Sequence, residues 1–326
     1  MNSQKTSLLS RLAVAGVVSF VTLSSFADQT WKGTSDNLWN TTGNWSGGAI
    51  PGSTDIVIYN SNSTANLSNQ LTTVFSIKGI AFTNPAGPVS INSANTLTTG
   101  ASGINMTNAT QMLTIAAPVA LSANQTWVVA TNQSLTVSGA VSGSSTIFKD
   151  GPGILYLNGA NTWTGNVTNN GGQIWINNSA GLGVGSKLIY VAANNVGVHL
   201  NGTNGNISLA NNISWTASDS AGAIVNEAGN NTVAGPINVF SGGGAPYFVA
   251  NAGSLTLSGT ITLGTTGRPM TLGGAAAGID TGGINSAALA VQKTDAGTWT
   301  LSAHNAYGGI TTISNGTLAL VSCNSY

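Results

Sequence analysis

The feature that most constrains the fold is a segment that occurs twice in the chain. Residues 149–174 read KDGPGILYLNGANTWTGNVTNNGGQI, and they align without a gap to residues 293–318, KTDAGTWTLSAHNAYGGITTISNGTL. The copies share a lysine, a glycine, alternating apolar residues, an asparagine and an aromatic residue, which is Trp163 or Tyr307. An internal repeat predicts an architecture in which each copy packs on its neighbours.

Within each copy, large apolar residues alternate with smaller or polar ones. Leu155 and Leu157 do so in the first copy, and Trp299 and Leu301 do so in the second. This period of two predicts a strand with one buried face. Glycine and asparagine then indicate a turn, and a second strand is predicted after it. These second strands are Gln173–Ile176 and Thr317–Leu320. No helical pattern separates the strands, which favours the coil of a β-solenoid.

A shorter element precedes each copy. SLTVSG at residues 134–139 recurs as SLTLSG at residues 254–259, with the same alternation of apolar and polar positions. The spacing from this element to the repeated lysine differs between the copies. Insertions are therefore expected in the connections between strands.

The repeated residues resemble the autotransporter-associated β-strand repeat, also called the passenger-associated transport repeat. That family's pattern is a lysine, a glycine, alternating leucines, Asn-Thr-Tyr-Thr-Gly, a threonine-rich strand and Asn-Gly-Thr-Leu. The matching positions are Lys149, Gly153, Leu155, Leu157, residues 161–165, Thr168 and Gly172, then Lys293, Gly297, Leu301, Asn305, Tyr307, Gly309, Thr312 and residues 315–318. Trp163 replaces the usual tyrosine, and residues 304–306 depart from the second Asn-Thr. The resemblance implies structure and export rather than a reaction, and it assigns the two lysines to repeat geometry.

The first 27 residues predict a secretory signal peptide. Lys5 and Arg11 precede an apolar run at residues 12–23, and a small-residue cleavage site ends at Ala27. A retained membrane anchor is the disfavoured alternative, because that run is shorter than the ~20 residues a spanning helix needs. The predicted organisation continues with a Trp-rich cap at residues 28–59. A β-solenoid then occupies residues 60–326, with repeats at about 134–190 and 254–321.

The low charge limits the classes of partner. Only 5% of the residues are charged, against ~25% in typical globular proteins. No basic stripe with interleaved aromatic residues is present, so nucleic acid is excluded as a partner. Asparagine, threonine and serine must supply solubility, as in extracellular bacterial solenoids. The single cysteine, Cys323, cannot form a disulfide within the chain; it either links two chains or is incidental.

Three tryptophans near the start of the predicted mature chain have two interpretations. Trp31, Trp39 and Trp45 could form a flat platform for sugar rings, or they could fill the open end of the solenoid. The cap is favoured because terminal repeats must cover an exposed core and an unblocked sheet end invites aggregation.

Further strands are predicted along the rest of the chain. The predicted segments are residues 74–80, 113–116, 126–130, 187–191, 207–209, 223–226 and 254–262. Their regular spacing also fits an antiparallel sandwich. The lack of tight Asn-Gly hairpins between adjacent strands weighs against that alternative.

Few residues suggest chemistry. Residues 181–187, GLGVGSK, resemble a phosphate loop but lack its Gly-Lys-Ser/Thr order and a following helix, so a turn is predicted. His199 and His304 have no metal-ligand spacing, so no metal site is predicted. Stacked coils could gather His199, Asp219 and Glu227, and a glycan-cleaving site there is the minor alternative.

The sequence therefore predicts an all-β protein, a right-handed parallel β-helix with an N-terminal Trp-rich cap. Roughly a dozen coils of ~22–25 residues at ~4.8 Å per rung would make a rod about 55–60 Å long. The predicted function is that of an exported bacterial surface or secreted passenger-like protein with a structural, secretion-supporting or adhesive role and no catalysis. A β-helix polysaccharide hydrolase or lyase, and a carbohydrate-binding module that uses the tryptophans, are the alternatives.

The predicted partners are an extracellular glycan or a host or neighbouring surface, together with the export machinery. No cofactor, no nucleic acid and no stable membrane insertion is predicted. The expected location is the cell surface or the medium. The chain is expected to be either freely secreted or part of a longer passenger.

Overall fold

Alternating apolar residues line one continuous interior in the computed structural model. It describes residues 28–321 except 193–195, 219–221, 241–244 and 265–268. In three successive coils, Leu135, Leu155 and Ile174 lie in register and are buried. Each strand therefore packs its inward side chains on those of the coils above and below. The prediction of strands with one buried face is confirmed.

The coils form a parallel β-solenoid of about 11 turns with three sheets. The first sheet follows the order Gln29–Thr30, Ile56–Tyr59, Phe75–Phe82, Leu97–Met106, Gln125–Val129, Ile147–Asp150, Val167–Asn169, Lys187–Val191, Ile213–Ala217, Ile237–Val239 and Ile261–Leu263, with Val119–Leu121 and Val141–Gly143 as a branch. The second sheet contains Ser68–Gln70, Val89–Asn92, Leu113–Ile115, Ser134–Val137, Ile154–Leu157, Gln173–Ile176, Gly197–Asn201, Ile224–Ala228, Tyr247–Ala250, Met270–Gly273, Val291–Lys293 and Thr311–Ile313. The third sheet contains Ser208–Leu209, Asn230–Val233, Ser254–Leu257, Ala277–Asp280, Thr298–Leu301 and Thr317–Leu320.

Helical structure in the described residues is confined to two short 3-10 turns, Thr42–Asn44 and Gly202–Asn204. A coil in the second half runs from the second sheet through the third to the first, as in Ile224–Ala228, Asn230–Val233 and Ile237–Val239. The all-β solenoid prediction is confirmed.

Every pair of neighbouring strands in the described part of the chain is parallel. The only antiparallel contact there is an isolated bridge between Trp31 and Trp45. Parallel neighbours cannot be joined by tight hairpins, because the chain must travel round a full coil before it returns to the same sheet. The antiparallel sandwich is therefore wrong.

Most predicted strands agree with the observed ones to within about two residues. The exception is the single strand predicted over residues 254–262, which is wrong. The chain turns a corner there and forms Ser254–Leu257 and Ile261–Leu263 in different sheets. Gly259 lies at this corner, where an added Cβ would be 1.9 Å from the carbonyl oxygen of Gly235. Two coils approach too closely at this point for any side chain.

The two copies of the repeat lie on different faces of the solenoid. In the first copy, Ile147–Asp150 belongs to the first sheet and Ile154–Leu157 to the second. In the second copy, Val291–Lys293 belongs to the second sheet and Thr298–Leu301 to the third. The second copy is therefore displaced by one face round the coil.

The two ends of the described solenoid differ. Buried tryptophans close the N-terminal end, whereas the last described coil exposes apolar side chains. These exposed residues are Ile310, Ile313, Leu320 and Val321. The predicted signal peptide at residues 1–27 and Cys323 lie outside the described residues.

Candidate functional site

The repeated lysine is buried at a corner of the coil and binds three backbone carbonyl groups. Nζ of Lys149 donates to the oxygens of Asp150 at 2.9 Å, Gly151 at 2.8 Å and Gly171 at 2.7 Å. The first two belong to its own turn and the third to the next coil. Burial lowers the pKa of Lys149 to about 7, an effect that the nearby Asp150 partly offsets. The side chain therefore fastens two coils together at this corner.

Lys293 makes the same three contacts in the second copy. Its Nζ donates to the carbonyl oxygens of Thr294, of Asp295 at 2.7 Å and of Asn315 at 3.2 Å. Burial lowers the pKa of Lys293, and Asp295 opposes that effect. We call each of these arrangements, Lys149 or Lys293 with its three carbonyl groups, a lysine clamp. The sequence associated both lysines with repeat geometry, and their shared geometry supports that interpretation.

The repeated asparagine also joins neighbouring coils. Oδ1 of Asn161 accepts from the N–H of Val141 at 2.7 Å, and its Nδ2 donates to Gly181 at 2.6 Å. In the second copy, Oδ1 of Asn305 accepts from the N–H of Ile284 at 2.9 Å. These contacts satisfy backbone groups where the sheets are interrupted at the corner.

The glycine-rich stretch at residues 181–187 consists of turns that lead into a strand. Its Lys187 is buried, and Nζ donates to the carbonyl oxygens of Trp163 at 2.7 Å and Leu182 at 2.6 Å. The same Nζ lies 4.5 Å from the centre of the Trp163 ring. Burial lowers the pKa of Lys187 to about 8. Because the protein itself occupies this amine, the stretch does not have the form of a phosphate site.

The N-terminal tryptophans are buried and packed edge to face. The ring centres of Trp31 and Trp45 are 5.0 Å apart at 76°, and those of Trp39 and Trp45 are 5.3 Å apart at 88°. Nε1 of Trp39 donates to Oδ1 of Asn69 at 2.9 Å. A sugar platform requires an exposed ring face, and these rings are fully buried. The cluster therefore matches the predicted cap, and the sugar-platform interpretation of these three residues is wrong.

The predicted glycan-cleaving set is brought together in part. Nδ1 of His199 lies 2.7 Å from Oε1 of Glu227, and Nδ2 of Asn251 donates to Oε2 of Glu227 at 3.0 Å. The hydrogen bond with His199 lowers the pKa of Glu227, against the effect of burial. A carboxyl group held ionised is poorly suited to act as a general acid. Asp219 lies outside the described residues.

Aromatic rings form a ladder on the outer surface of the second sheet. Tyr156, Trp175 and His199 are in register in three successive coils. The ring centres of Tyr156 and Trp175 are 5.8 Å apart at 52°. Those of Trp175 and His199 are 5.1 Å apart with nearly parallel planes. We call these three residues the aromatic ladder. Tyr156 and Trp175 are partly exposed, whereas His199 is largely covered.

An open groove of about 340 Å³ runs beside the first ring of this ladder. Its lining includes Asn132, Gln133, Ser134, Ile154, Tyr156 and Gln173. Nε1 of Trp175 donates to Oε1 of Gln173 at 2.8 Å, which fixes the orientation of that amide. The groove and the aromatic ladder are therefore one connected surface.

Sequence reasoning missed this surface. The only signal was that Tyr156, Trp175 and His199 recur about one coil apart, and coil length changes along the chain. In the described residues, no group of three or more His, Cys, Asp or Glu residues is arranged to hold a metal ion. No helix in the same residues is both long and apolar enough to cross a membrane.

Comparisons with known proteins agree with the repeat geometry. The family model for the passenger-associated-transport-repeat matches residues 147–174 and 291–320, the segments that contain the two lysine clamps. The adhesin BmaC autotransporter of Brucella suis biovar 1 (strain 1330) is 38% identical over 68 residues, which is 21% of this chain and 2% of that protein. No solved structure matches. The chain thus contains two copies of the passenger-associated transport repeat, built into one parallel β-solenoid.

Proposed function

We propose that this chain is an exported, passenger-like β-solenoid that serves as a structural and adhesive element at the bacterial surface or in the medium. Its role is to hold an extended surface away from the cell and to support its own secretion. It acts without catalysis and without a cofactor. Its partners are the export machinery and an extracellular glycan or a host or neighbouring cell surface.

The observation that carries this proposal is the recurrence of the lysine clamp in both copies of the repeat. Each lysine clamp joins one coil to the next through backbone carbonyl groups alone. It therefore depends little on the side chains of the coil that follows. A coil cannot bury its apolar face alone and gains stability from the coil already in place. Folding by successive addition of coils suits a chain that emerges from a membrane gradually.

An adhesive role is supported by two further observations. The matched protein from Brucella suis is named an adhesin autotransporter, although this chain covers only 2% of its length. The present chain is also only 5% charged, so its surface binds chiefly through neutral hydrogen-bonding groups and aromatic rings. Such a surface suits neutral partners outside the cell.

Export is tested in the cells that produce the protein. Antibodies against the purified chain should label intact cells or the medium, and the exported chain should begin at Asp28. The double substitution of Lys149 and Lys293 by Met should lower the exported amount without lowering synthesis. Lys78→Met, which changes an exposed lysine, is the matched control. A cytosolic chain that retains residues 1–27 would contradict the proposal.

Adhesion is tested separately with the purified chain on beads. Coated beads should attach to the surfaces that the producing cells colonise, and a deletion strain should attach less than its parent. Equal attachment by the deletion strain and its parent, together with inert beads, would exclude an adhesive role and leave a structural one.

The hydrolase or lyase alternative keeps one observation in its favour, the contact between His199 and Glu227. It predicts that the chain shortens a polysaccharide and that Glu227→Gln abolishes this activity. We expect no shortening of neutral or acidic polysaccharides by either protein. Release of reducing ends by the wild type alone would favour catalysis over the proposed role.

A further inference from the structure

We infer that the exposed part of the aromatic ladder and the adjoining groove form a binding site for a neutral oligosaccharide. This inference rests on the proposed adhesive function and gives it a place on the molecule. The site comprises the rings of Tyr156 and Trp175 and the polar side chains of Asn132, Gln133 and Gln173.

The rings supply the apolar part of the site. Tyr156 and Trp175 alternate with buried residues along their strands, so they point outward from the second sheet. The preceding coil has only Thr136 at the same register position. Outward aromatic rings in consecutive coils form a continuous apolar strip that spans two rungs of the solenoid. The C–H faces of pyranose rings can pack on such a strip, whereas their hydroxyl groups point to its sides.

The groove supplies polar groups of matching chemistry. The residues that line it in the described structure are all uncharged. Side-chain amides both donate and accept hydrogen bonds, as do sugar hydroxyl groups. The carbonyl oxygen of Gln173 is engaged by Trp175, so the amide nitrogen is the end of Gln173 that can donate to a ligand. The volume of about 340 Å³ falls at the lower end of the ~300–1,000 Å³ range of small-molecule sites.

The far end of the aromatic ladder keeps the rings in place. The ring of His199 stacks on Trp175 and is held by Glu227, which Asn251 in turn holds. A ring that is already ordered loses little conformational freedom when a ligand binds. The carboxylate of Glu227 is engaged by His199 and Asn251 and not offered to a ligand, which is consistent with a neutral ligand.

The experiment measures binding of the purified full chain to immobilised oligosaccharides. The neutral probes are cello-, xylo- and galacto-oligosaccharides and N-acetylglucosamine oligomers; the anionic probes are heparin, hyaluronan and oligogalacturonate. We expect binding to at least one neutral probe and none to the anionic probes. Tyr156→Ala, Trp175→Ala and Gln173→Ala should each weaken that binding by about tenfold or more. Trp175→Phe, which keeps a ring, should weaken it less than Trp175→Ala.

Tyr190→Ala is the matched control, because Tyr190 is a partly buried tyrosine that points outward from the first sheet. It should leave the affinity unchanged, and thermal unfolding of each variant verifies that the solenoid is intact. Binding to a neutral probe that survives Tyr156→Ala, Trp175→Ala and Gln173→Ala would overturn the inferred site and leave the adhesive function standing. Binding to anionic probes alone, or to no probe while coated beads still attach to cells, would also overturn it. If coated beads do not attach to cells and no oligosaccharide probe binds, both proposals would be contradicted.

Discussion

Three carbonyl oxygens around one amine allow a charged residue type to lie inside a corner of the coil. Nζ of a lysine has three N–H groups when protonated, and the lysine clamp of Lys149 provides an acceptor for each. Burial favours the neutral amine and lowers the pKa to about 7. The three hydrogen bonds offset part of the desolvation cost of burying the charged amine. A hydrophobic residue of the same length would fill the space but leave the three acceptors without a donor.

Lys149→Met should therefore lower the free energy of unfolding by about 2–4 kcal/mol, because buried acceptors that lose their donor carry a desolvation cost. Lys78→Met changes a lysine whose side chain is exposed, and it should change stability by less than about 0.5 kcal/mol. Urea unfolding followed by circular dichroism measures both variants. Equal midpoints for the two would show that the lysine clamp contributes nothing to stability.

Burial has the opposite effect on the pKa of a second buried ionisable residue, which is acidic. Asp280 is fully buried, and burial raises its pKa to about 6 although the N–H groups of Gly283 and Gly282 hold one oxygen. Its folded pKa is above the unfolded value of 3.8, so the folded state binds this proton more tightly. The stabilising contribution is full below about pH 4 and is lost as the pH rises through about 6.

Asp280→Asn should remove this dependence and raise stability at pH 7 by up to about 3 kcal/mol. Thermal unfolding of both proteins from pH 4 to pH 7 measures the difference, which should grow across that range. Asp28→Asn, whose exposed side chain accepts from the N–H of Ile56, should keep the wild-type profile. A constant difference between wild type and Asp280→Asn across the range would refute the argument.

At the scale of the element, the repeat behaves as a local unit that is independent of the face it occupies. Its lysine starts in the first sheet in one copy and in the second sheet in the other. The contacts are nevertheless the same, because they involve only the adjoining turn and the next coil. A coil can therefore gain or lose residues between copies without loss of the lysine clamp.

The strands were predictable because apolar alternation is local information. The alternation of Leu155 and Leu157 within a four-residue strand predicts a buried face, and both side chains are buried in the structure. The corner at Gly259 was not predictable, because residues 254–262 alternate without interruption and only the neighbouring coil forces the turn. The aromatic ladder was missed for a related reason. Which residues share a register depends on the length of every preceding coil.

Gly259→Ala tests the close approach of two coils at that corner. The added Cβ would lie 1.9 Å from a backbone oxygen of Gly235. Because the clashing atoms are backbone, the clash can be removed only by moving one coil away from the other. We expect a loss of at least about 2–3 kcal/mol in the free energy of unfolding. Gly52→Ala, whose nearest contact would be 3.6 Å from Asp55, should be nearly neutral in the same urea titration. A neutral Gly259→Ala would mean that the two coils separate easily.

At the scale of the whole molecule, the two ends of the described solenoid differ in how far their apolar side chains are exposed to solvent. The first coils are closed by three buried tryptophans, so no apolar row is left open there. The last described coil has strands Thr311–Ile313 and Thr317–Leu320 at the edge, with exposed apolar residues among them. Exposed apolar side chains at the edge of a parallel sheet favour association with another chain.

We expect the purified chain to self-associate with increasing concentration through this coil. Ile313→Lys combined with Leu320→Lys should shift the population toward monomer in sedimentation velocity, because like charges would meet at the contact. Val74→Lys replaces an equally exposed apolar residue elsewhere and should leave association unchanged. Equal effects of both changes would point to general solubility instead of a contact at this coil.

The displacement of the second repeat by one face determines which way the outward side chains of each copy point. The first copy presents them on one side of the solenoid and the second copy on another. The aromatic ladder is not repeated on the second side, because Thr300 and Ala319 stand there at the positions of Tyr156 and Trp175. A ligand of the aromatic ladder would therefore approach the solenoid from one direction only.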